Sequence, residues 1–364
     1  MKRIVCTVTN DLHYDQRMIR ICSSLAVAGY DVLLVGRKLK SSPPLSNKPF
    51  RQKRLSCFFE KGFLFYAEYN LRLLVYLLFR KWDLICAIDL DTITPCLLAS
   101  ALKGTRRLYD AHELFCEMKE VVSRPLVHRF WKAIERKTVP RFRNGYTVNT
   151  PIRDIFQKDY GVRYEVIRNI PPLRPGPQAM TEPENFIIYQ GAVNEGRSFE
   201  TLIPAFQWID VPLHIYGDGN FMEEARRLVA LHGLQQKVIF KGKRSPDELR
   251  TITPKALMGV TLFENRGLNN YLSLGNRFFD YLHAGIPQIC VDYPAYRELN
   301  QTYRMAVLVH DLSPRALAGS INALLGDKAL QKEIRQNCIA ARKELNWQAE
   351  EKRLLALYAQ IFAS

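Results

Sequence analysis

The chain has 364 residues, of which 47% are hydrophobic and 24% charged, a composition that excludes a disordered chain and suits a globular protein of two domains. Its eight cysteines include no CxxC pair and no zinc-ligand spacing, which argues against structural zinc and favours buried thiols in a reducing compartment. The formal charge is +16, and residues 1–175 carry +15 of it (31 Lys and Arg against 16 Asp and Glu), so this half has either an anionic partner or simply a solvated basic surface.

Short apolar strands alternate with helices through the first half of the chain. Strands are predicted at residues 1–9, 31–35, 83–88, 107–109, 146–148 and 164–167, and a first helix at 15–28. This alternation predicts a parallel sheet that helices cover on both faces. The apolar run that follows Met1 to Arg3 is short, so we expect a strand there instead of a signal peptide, and a cytoplasmic protein.

The longest apolar stretch is 62–79, GFLFYAEYNLRLLVYLLF. Glu68, Asn70 and Arg72 within it argue against a membrane-spanning helix. Basic residues surround the stretch: Arg51, Lys53, Arg54, Lys61, Arg80 and Lys81. Two interpretations stay open. The stretch is either part of a basic amphipathic surface that docks peripherally on an anionic inner membrane leaflet, or a core helix of a basic domain.

A proline-rich segment at 170–177, IPPLRPGP, separates the two halves of the chain. Its four prolines and one glycine cannot continue a helix or a central strand. We therefore predict an N-terminal domain at 1–175 and a C-terminal domain at 176–345. A last helix is predicted within 346–364, with packing back on the N-terminal domain as one option.

The second half repeats the alternation of strands and helices. Strands are predicted at 186–189, 211–216, 237–240, 256–262 and 287–291, and helices at 313–326, 328–344 and 347–362. The predicted fold class is α/β, with two doubly wound Rossmann-like domains facing a cleft. Ligands bind such sheets outside the carboxyl ends of their strands.

Two glycine-bearing loops follow strands of the second half. The loop 191–197, GAVNEGR, leads into a helix, whose N-terminal N–H groups and dipole favour phosphate, and Arg197 would add a charge-assisted contact. By itself this loop more often indicates a simple turn with a surface arginine. Gly217 and Gly219, in the loop GDG, are a weaker sign, because a structural turn needs the same glycines.

A third motif, residues 264–287, lies between two apolar strands and reads ENRGLNNYLSLGNRFFDYLHAGIP. It places a carboxylate, Glu264, at a strand end, then a loop rich in glycine and asparagine, then a helix that is predicted to begin near Leu274. Carboxylates accept hydrogen bonds from sugar hydroxyls, and a loop with a helix start supplies N–H donors. A capping role for Glu264 and a solvated Asp280 are the alternatives.

In this order the motifs resemble the C-terminal domain of family-4-like bacterial glycosyltransferases (glycosyl transferases group 1) of the GT-B fold. The resemblance covers residues 186–300 and rests on GAVNEGR, HIYGDG, KVIFKG, ENRGLN and LGNRFFDYLHAGIP. In the first half, residues 8–32, YDAHE at 109–113 and VIRNIP at 166–171 are similar to the acceptor domain of the same family.

The resemblance implies that domain 1–175 binds the acceptor and domain 176–345 binds the donor, and it implies roles for the matching residues. Arg197 would contact the donor diphosphate, Glu264 would hold the transferred sugar, and Asp280 would hold the ribose. His112 matches an active-site histidine near the sugar and the attacking hydroxyl. Further donor contacts are implied for Gly191, Gly217, Gly219, Lys243, Gly267, Leu268, Asn269 and Asn276. Contacts on the acceptor side are implied for Asn10, Asp11, Arg17 and Asn149.

The sequence departs from the family pattern at three places. Ala192 stands where a second basic residue is common. Glu264 and Asp280 are 16 positions apart, not eight, and the second acid is an aspartate. The usual glycine-rich loop after the first strand is replaced by residues 10–13, NDLH.

The resulting prediction is a retaining, metal-independent glycosyltransferase. It would move a hexose-type sugar from a nucleoside-diphosphate sugar to a hydroxyl acceptor, in the assembly of a cell-surface polysaccharide or glycolipid. No cofactor and no metal is expected, although Asp89 and Asp91 have Asp-x-Asp spacing. The alternatives are a sugar-nucleotide epimerase and a basic module that binds a membrane or nucleic acid. A carboxylate-rich loop opposite a phosphate loop argues against a pure binding module, so no nucleic-acid partner is expected.

Overall fold

The computed structural model describes residues 1–13, 15–174 and 182–363. The chain forms two compact units, one of Met1–Asn169 with Glu350–Ser364 and the other of Ile170–Ala349. The division between the units therefore lies at Asn169, six residues before the predicted boundary. The predicted boundary itself, at 175–176, lies outside the described residues.

The first unit is built on a parallel sheet. Its described strands are β1 (Arg3–Thr7), β2 (Asp31–Lys38), β3 (Arg51–Ser56), β4 (Leu84–Ile88), β5 (Arg106–Ala111), β6 (Gly145–Thr147) and β7 (Glu165–Val166), in the order β3-β2-β1-β4-β5-β6-β7. Its helices are α1 (Gln16–Val27), α2 (Gly62–Leu78), α3 (Ile93–Lys103), α4 (Lys119–Val122), α5 (Pro125–Thr138) and α6 (Thr150–Tyr160). The predicted parallel sheet of this half is confirmed.

The second unit repeats this plan. Its described strands are β8 (Ile187–Gln190), β9 (Leu213–Tyr216), β10 (Val238–Phe240), β11 (Met258–Thr261), β12 (Gln288–Val291) and β13 (Val307–Val309), all parallel, in the order β10-β9-β8-β11-β12-β13. Its helices are α7 (Phe199–Ala205), α8 (Met222–Leu231), α9 (Pro246–Ile252), α10 (Leu268–Leu272), α11 (Asn276–Ala284), α12 (Pro294–Thr302), α13 (Pro314–Gly326) and α14 (Lys328–Ala341). The α/β class with two Rossmann-like sheets is thus confirmed.

The sequence did not predict two of these strands. β3 has the sequence RQKRLS and lies at the edge of its sheet, paired only with β2, so its side chains are mostly solvated and show no apolar alternation. β13 has three residues and lies at the edge of the other sheet. The charged sequence of β3 carries no apolar pattern, and the apolar run at β13 is too short to mark a strand by itself.

The last helix, α15 (Trp347–Ala363), belongs to the first unit from Glu350 onward. Glu350 is buried and pairs with Arg168 at 3.1 Å. The ring of Phe362 stacks on that of Tyr30 at 5.4 Å, and the Tyr358 hydroxyl donates to Cys86 Sγ at 3.7 Å.

Helix α2 has a buried and an exposed face. Phe65, Tyr69, Leu73 and Leu77 are buried at helical spacing, whereas Phe63, Leu64, Leu71 and Val75 are exposed. None of the described helices is long and apolar enough to cross a bilayer. All eight cysteines are free thiols, and all but Cys57 are buried, as predicted.

In both sheets the strand order changes direction beside the first strand. This happens between β1 and β4 in the first unit and between β8 and β11 in the second. Loops at the carboxyl ends of such neighbouring strands diverge and leave room for ligands. Asp89 follows β4, Gly191 follows β8, and Glu264 lies shortly after β11, so the candidate residues lie at these two places.

Candidate functional site

Three glycines hold the loops after β8 and β9 together in the second unit. A Cβ on Gly217 would lie 1.8 Å from the carbonyl oxygen of Gly191, and one on Gly219 would lie 2.3 Å from that of Val193. Gly191 itself has φ +121°, which side-chain-bearing residues rarely adopt. These glycines let the two loops pack backbone against backbone.

Arg197 lies at the end of the first loop, just before α7. The loop turns through Gly196 and Ser198, whose φ values are +79° and +58°. Such a conformation is strained for a serine, and strain of this kind concentrates at functional sites. The guanidinium of Arg197 lies 4.5 Å from the centre of the Phe263 ring, so the arginine approaches the end of β11.

Glu264 is tied to the same loop. Its backbone N–H donates to the carbonyl oxygen of Gly196 at 3.0 Å, which joins the backbone of Glu264 to the residue preceding Arg197. The side chain is 18% exposed, and its Oε2 accepts no hydrogen bond among the described residues, although the exposed Arg266 lies 3.5 Å away. The structure thus brings the backbone of Glu264 to the loop that carries Arg197, while their roles at the donor stay a prediction.

The loop after Glu264 forms its own short helix. Gly267, with φ +89°, precedes α10, whose first residues are Leu268 and Asn269. A Cβ on Gly196 would lie 3.3 Å from the amide nitrogen of Asn270, so α10 begins close to the Arg197 loop. The next helix, α11, begins at Asn276, two residues later than predicted.

Asp280, on α11, is joined to the end of β8. It accepts a hydrogen bond from the Gln190 amide at 3.0 Å, and Gln190 in turn accepts one from the Thr253 hydroxyl at 2.6 Å. The carboxylate is half-buried. Lys243, in contrast, lies exposed in the loop after β10, which is two strands away from β8.

Arg277 belongs to this site, although the sequence assigned it no role. It is the second residue of α11 and only 8% exposed. Its guanidinium lies 4.1 Å from the centre of the Tyr189 ring and 5.4 Å from that of Phe263. The signal in the sequence was its place beside Phe278 and Phe279, on the face of an amphipathic helix that turns inward.

In the first unit, His112 lies directly after β5 and faces Asp89. The His112 Nε2 is 3.2 Å from Asp89 Oδ2. Asp89, directly after β4, has φ +56° and ψ 173°, a region that is essentially restricted to glycine. Together with Glu113, these side chains form the one group of three among the described residues whose ligand atoms lie within 4.8 Å of each other, close enough to hold a metal ion.

Two carboxyl groups near His112, those of Asp89 and Asp91, have raised pKa values, with burial as the main cause. Burial raises the pKa of Asp89 well above its usual value, and the charges of Glu113 and Asp91 add to the effect. Burial also raises the pKa of Asp91 to about 7, although the Thr9 hydroxyl donates a hydrogen bond to it. Crowded carboxyl groups of this kind hold protons near neutral pH.

Two of the residues that were assigned to the acceptor side form buried ion pairs. The Arg17 guanidinium makes two hydrogen bonds, of 3.1 and 2.8 Å, to Asp110, which is fully buried on β5. Asp11 pairs with Arg54 at 3.0 Å and also accepts from the Ser42 hydroxyl. Burial acts to raise the pKa of Asp11, but these donors hold it below the usual value.

The other two acceptor-side residues differ in exposure. Asn149 is buried and caps α6, where its side chain accepts from the N–H of Ile152 at 2.9 Å. Asn10 is exposed at the carboxyl end of β1, and its carbonyl oxygen accepts from the N–H of Arg37. Direct contact with an acceptor stays a prediction for all four residues.

The chain is similar to known glycosyltransferases in part of its sequence and in its fold. Residues 175–344 match the family model of glycosyl transferases group 1. No curated protein matches the chain. Among solved structures, sucrose-phosphate synthase from Thermosynechococcus elongatus is 19% identical, with 100% of both chains covered and a TM-score of 0.79.

Two further structures share the fold over nearly the whole chain. Anabaena HepE in complex with UDP and glucose is 14% identical, with 99% of both chains covered and a TM-score of 0.73. WaaG, a glycosyltransferase involved in lipopolysaccharide biosynthesis, is 16% identical, with 98% of this chain and 99% of WaaG covered and a TM-score of 0.73.

Proposed function

We propose that this chain, whose residues 175–344 match the family model of glycosyl transferases group 1, is a glycosyltransferase that moves a hexose-type sugar from a nucleoside diphosphate to a hydroxyl. The proposed transfer retains the anomeric configuration and uses no metal ion or cofactor. The observation that carries it is the backbone hydrogen bond from Glu264 to Gly196. It joins a carboxylate-bearing residue after β11 to the arginine-bearing loop after β8.

Arg197 and the backbone N–H groups of its loop bind the donor diphosphate in this proposal. Preorganised N–H groups and cations stabilise the negative charge that develops on a leaving group. HepE, which shares the fold, was solved with UDP and glucose, and this supports a nucleoside-diphosphate donor. Glu264 binds hydroxyls of the transferred sugar, and Asp280 binds the ribose.

In the first unit, His112 contacts the sugar and the attacking hydroxyl. Asp89 holds the imidazole through its 3.2 Å contact with Nε2. Burial raises the pKa of Asp89 and Asp91, so these two acids keep their protons to higher pH than usual and limit the local negative charge near the incoming hydroxyl. The acceptor belongs to a cell-surface polysaccharide or a lipid-linked glycan, a proposal that the likeness to WaaG supports.

Turnover of nucleotide sugars by the full-length chain tests this proposal. UDP- and GDP-hexoses are incubated with oligosaccharide and glycolipid acceptors, with and without EDTA. We expect an acceptor-dependent product whose yield is unchanged by EDTA. A product formed without any acceptor indicates an epimerase instead. Activity that EDTA abolishes and a metal restores contradicts metal independence and points to the Asp89, His112 and Glu113 group.

We further propose that the first unit docks on an anionic membrane surface. Phe63 of α2 and Phe130 of α5 are both exposed, and their rings meet at 5.7 Å, so the exposed faces of the two helices adjoin. Leu64 and Leu126 are exposed beside them. Exposed cations flank this apolar patch, among them Lys61, Arg72, Arg124 and Arg129. Apolar side chains between cations favour the surface of an anionic bilayer.

Co-sedimentation with vesicles tests the docking. We expect binding to vesicles that contain phosphatidylglycerol, weaker binding to neutral vesicles, and loss of binding in the double variant Phe63→Asp/Phe130→Asp. Leu231→Asp, at an exposed apolar residue of the second unit, is the matched control and should bind normally. Binding that ignores the anionic lipid content would refute the docking.

A further inference from the structure

Arg277 is the buried cation of the second unit that has no carboxylate partner among the described residues. Its residue is 8% exposed, and its Nη1 makes no hydrogen bond in the described part of the chain. Charged side chains are rarely buried without a partner, because desolvation of the charge is unfavourable. In the first unit the buried Arg17 follows this rule through Asp110. Arg277 therefore has bonding capacity that the fold itself does not use.

Aromatic rings hold the guanidinium in place. The Tyr189 ring centre lies 4.1 Å away and that of Phe263 5.4 Å away. Ring faces attract a cation, yet they accept few of the hydrogen bonds that the five guanidinium N–H groups can donate. The rings fix the orientation of a planar fork whose ordinary ligand is an oxyanion such as a carboxylate or a phosphate.

The guanidinium adjoins the Gly191 loop. A Cβ on Gly191 would lie 3.6 Å from Arg277 Nη2, and Gly191 itself is exposed. The loop that begins at Gly191 ends at Arg197, whose guanidinium lies 4.5 Å from the same Phe263 ring. Two cations near one ring repel each other, and an anion with two charged groups relieves that repulsion.

We propose that Arg277 is a donor-binding residue that contacts the diphosphate of the nucleotide sugar at the start of α11. This inference rests on the proposed function and adds to it a second cation for the diphosphate, on α11 instead of on the loop. Arg277 lies in the first turn of α11, and the N-terminus of a helix favours the same anionic ligand.

Calorimetric binding of UDP, GDP and ADP to the full-length chain, each compared with its nucleoside, tests the inference. Arg277→Met keeps an unbranched, flexible stem and removes the guanidinium with its charge. We expect the diphosphate that binds best to bind about 10- to 100-fold more weakly, the range for a lost charge-assisted hydrogen bond, and the nucleoside to change by less than about twofold. Arg277→Lys keeps a cation without the planar fork and should lie between.

The control is Arg226→Met, which removes an exposed guanidinium stacked 4.7 Å from the Phe240 ring in the same unit. It should bind the diphosphate as the wild type does. In the Arg277→Met background, Ala192→Arg places a cation next to Gly191, on an exposed residue, and should restore most of the lost affinity.

The outcomes separate this inference from the proposed function. Wild-type chain that binds none of the three diphosphates contradicts the proposed function, and the inference falls with it. Tight diphosphate binding that is equal in wild type, Arg277→Met and Arg277→Lys leaves the function standing and overturns the role of Arg277. Equal weakening of diphosphate and nucleoside binding means that Arg277 only packs the ring pair, and this also overturns it.

Discussion

The two units place different side chains at the same position of the same kind of sheet, acids in the first unit and arginines in the second. At the switch point of the first unit, Asp89, Asp91 and Glu113 crowd around His112. At that of the second unit, Arg197 and Arg277 approach the same ring. The overall charges run the other way, with +15 on residues 1–175 and +1 on the rest of the chain.

The net charge of a unit therefore does not indicate where the anionic diphosphate binds. A basic surface in the first unit suits an anionic bilayer, whereas the diphosphate is assigned to a few arginines of a nearly neutral unit. The first unit neutralises its buried cations internally, through Asp110 and Asp11. In the second unit, Arg277 has no carboxylate partner among the described residues and is assigned to the diphosphate of the donor. Three measurements test this contrast.

The largest expected effect is on stability, when the buried cations are removed in turn. Arg17→Met leaves Asp110 buried without its partner and should lower the free energy of unfolding by about 3–5 kcal/mol. Arg277→Met leaves no carboxylate behind and should cost less than about 1 kcal/mol. Urea denaturation of both variants gives the comparison. Equal losses would mean that Arg277 is a structural residue like Arg17.

Removal of the carboxylate beside the loop comes next. Glu264→Ala should reduce kcat by about 10²- to 10³-fold, as for other groups that stabilise a transition state, while UDP affinity changes little. Arg197→Ala should weaken UDP binding instead. Glu223→Ala, at an exposed position of α8, is the control. Steady-state kinetics and calorimetry separate the two effects, and near-normal turnover by Glu264→Ala would remove Glu264 from the active site.

The smallest expected effect is a pH dependence of the first unit's stability. The pKa of Asp91 rises from 3.8 to about 7 on folding, so the folded state binds the extra proton between these values. Stability from this group is full below pH 4 and is lost as the pH rises through 7. We expect unfolding to be easier by about 1–2 kcal/mol at pH 8 than at pH 5, because remaining solvent contact moderates the shift.

Asp91→Asn checks the origin of this slope. The variant cannot ionise, so its urea midpoint should vary less between pH 5 and pH 8 than that of the wild type. Asp154→Asn, at an exposed residue of α6, should keep the wild-type slope. An unchanged slope in Asp91→Asn would assign the pH dependence to other carboxyl groups, Asp89 first.

Much of the second unit's site was predictable from the sequence, because its parts are local. Strand-loop-helix signals located the Arg197 loop, and a carboxylate after an apolar strand located Glu264. The backbone hydrogen bond from Glu264 to Gly196 joins residues 68 positions apart in the sequence, so only the folded structure reveals it. No role was predicted for Arg277 from the sequence, because the burial of an arginine depends on which face of its helix turns towards the core.

The first unit was predicted less well at its site. His112 was found through the sequence YDAHE, but its partner Asp89 comes from a neighbouring strand and adopts a backbone conformation that no local pattern requires of an aspartate. Arg17 and Asn149 were assigned to the acceptor on the resemblance. The structure places Arg17 in an ion pair and Asn149 in a helix cap, roles that only tertiary contacts reveal.

The anomeric configuration of the product tests the proposed reaction most directly. The wild-type chain is incubated with its preferred nucleotide sugar and acceptor in the presence of EDTA, and the coupling constant of the new glycosidic linkage is read by NMR. We predict the configuration of the donor, with yield unaffected by the chelator. An inverted linkage, or transfer that requires a divalent ion, would contradict the proposed mechanism.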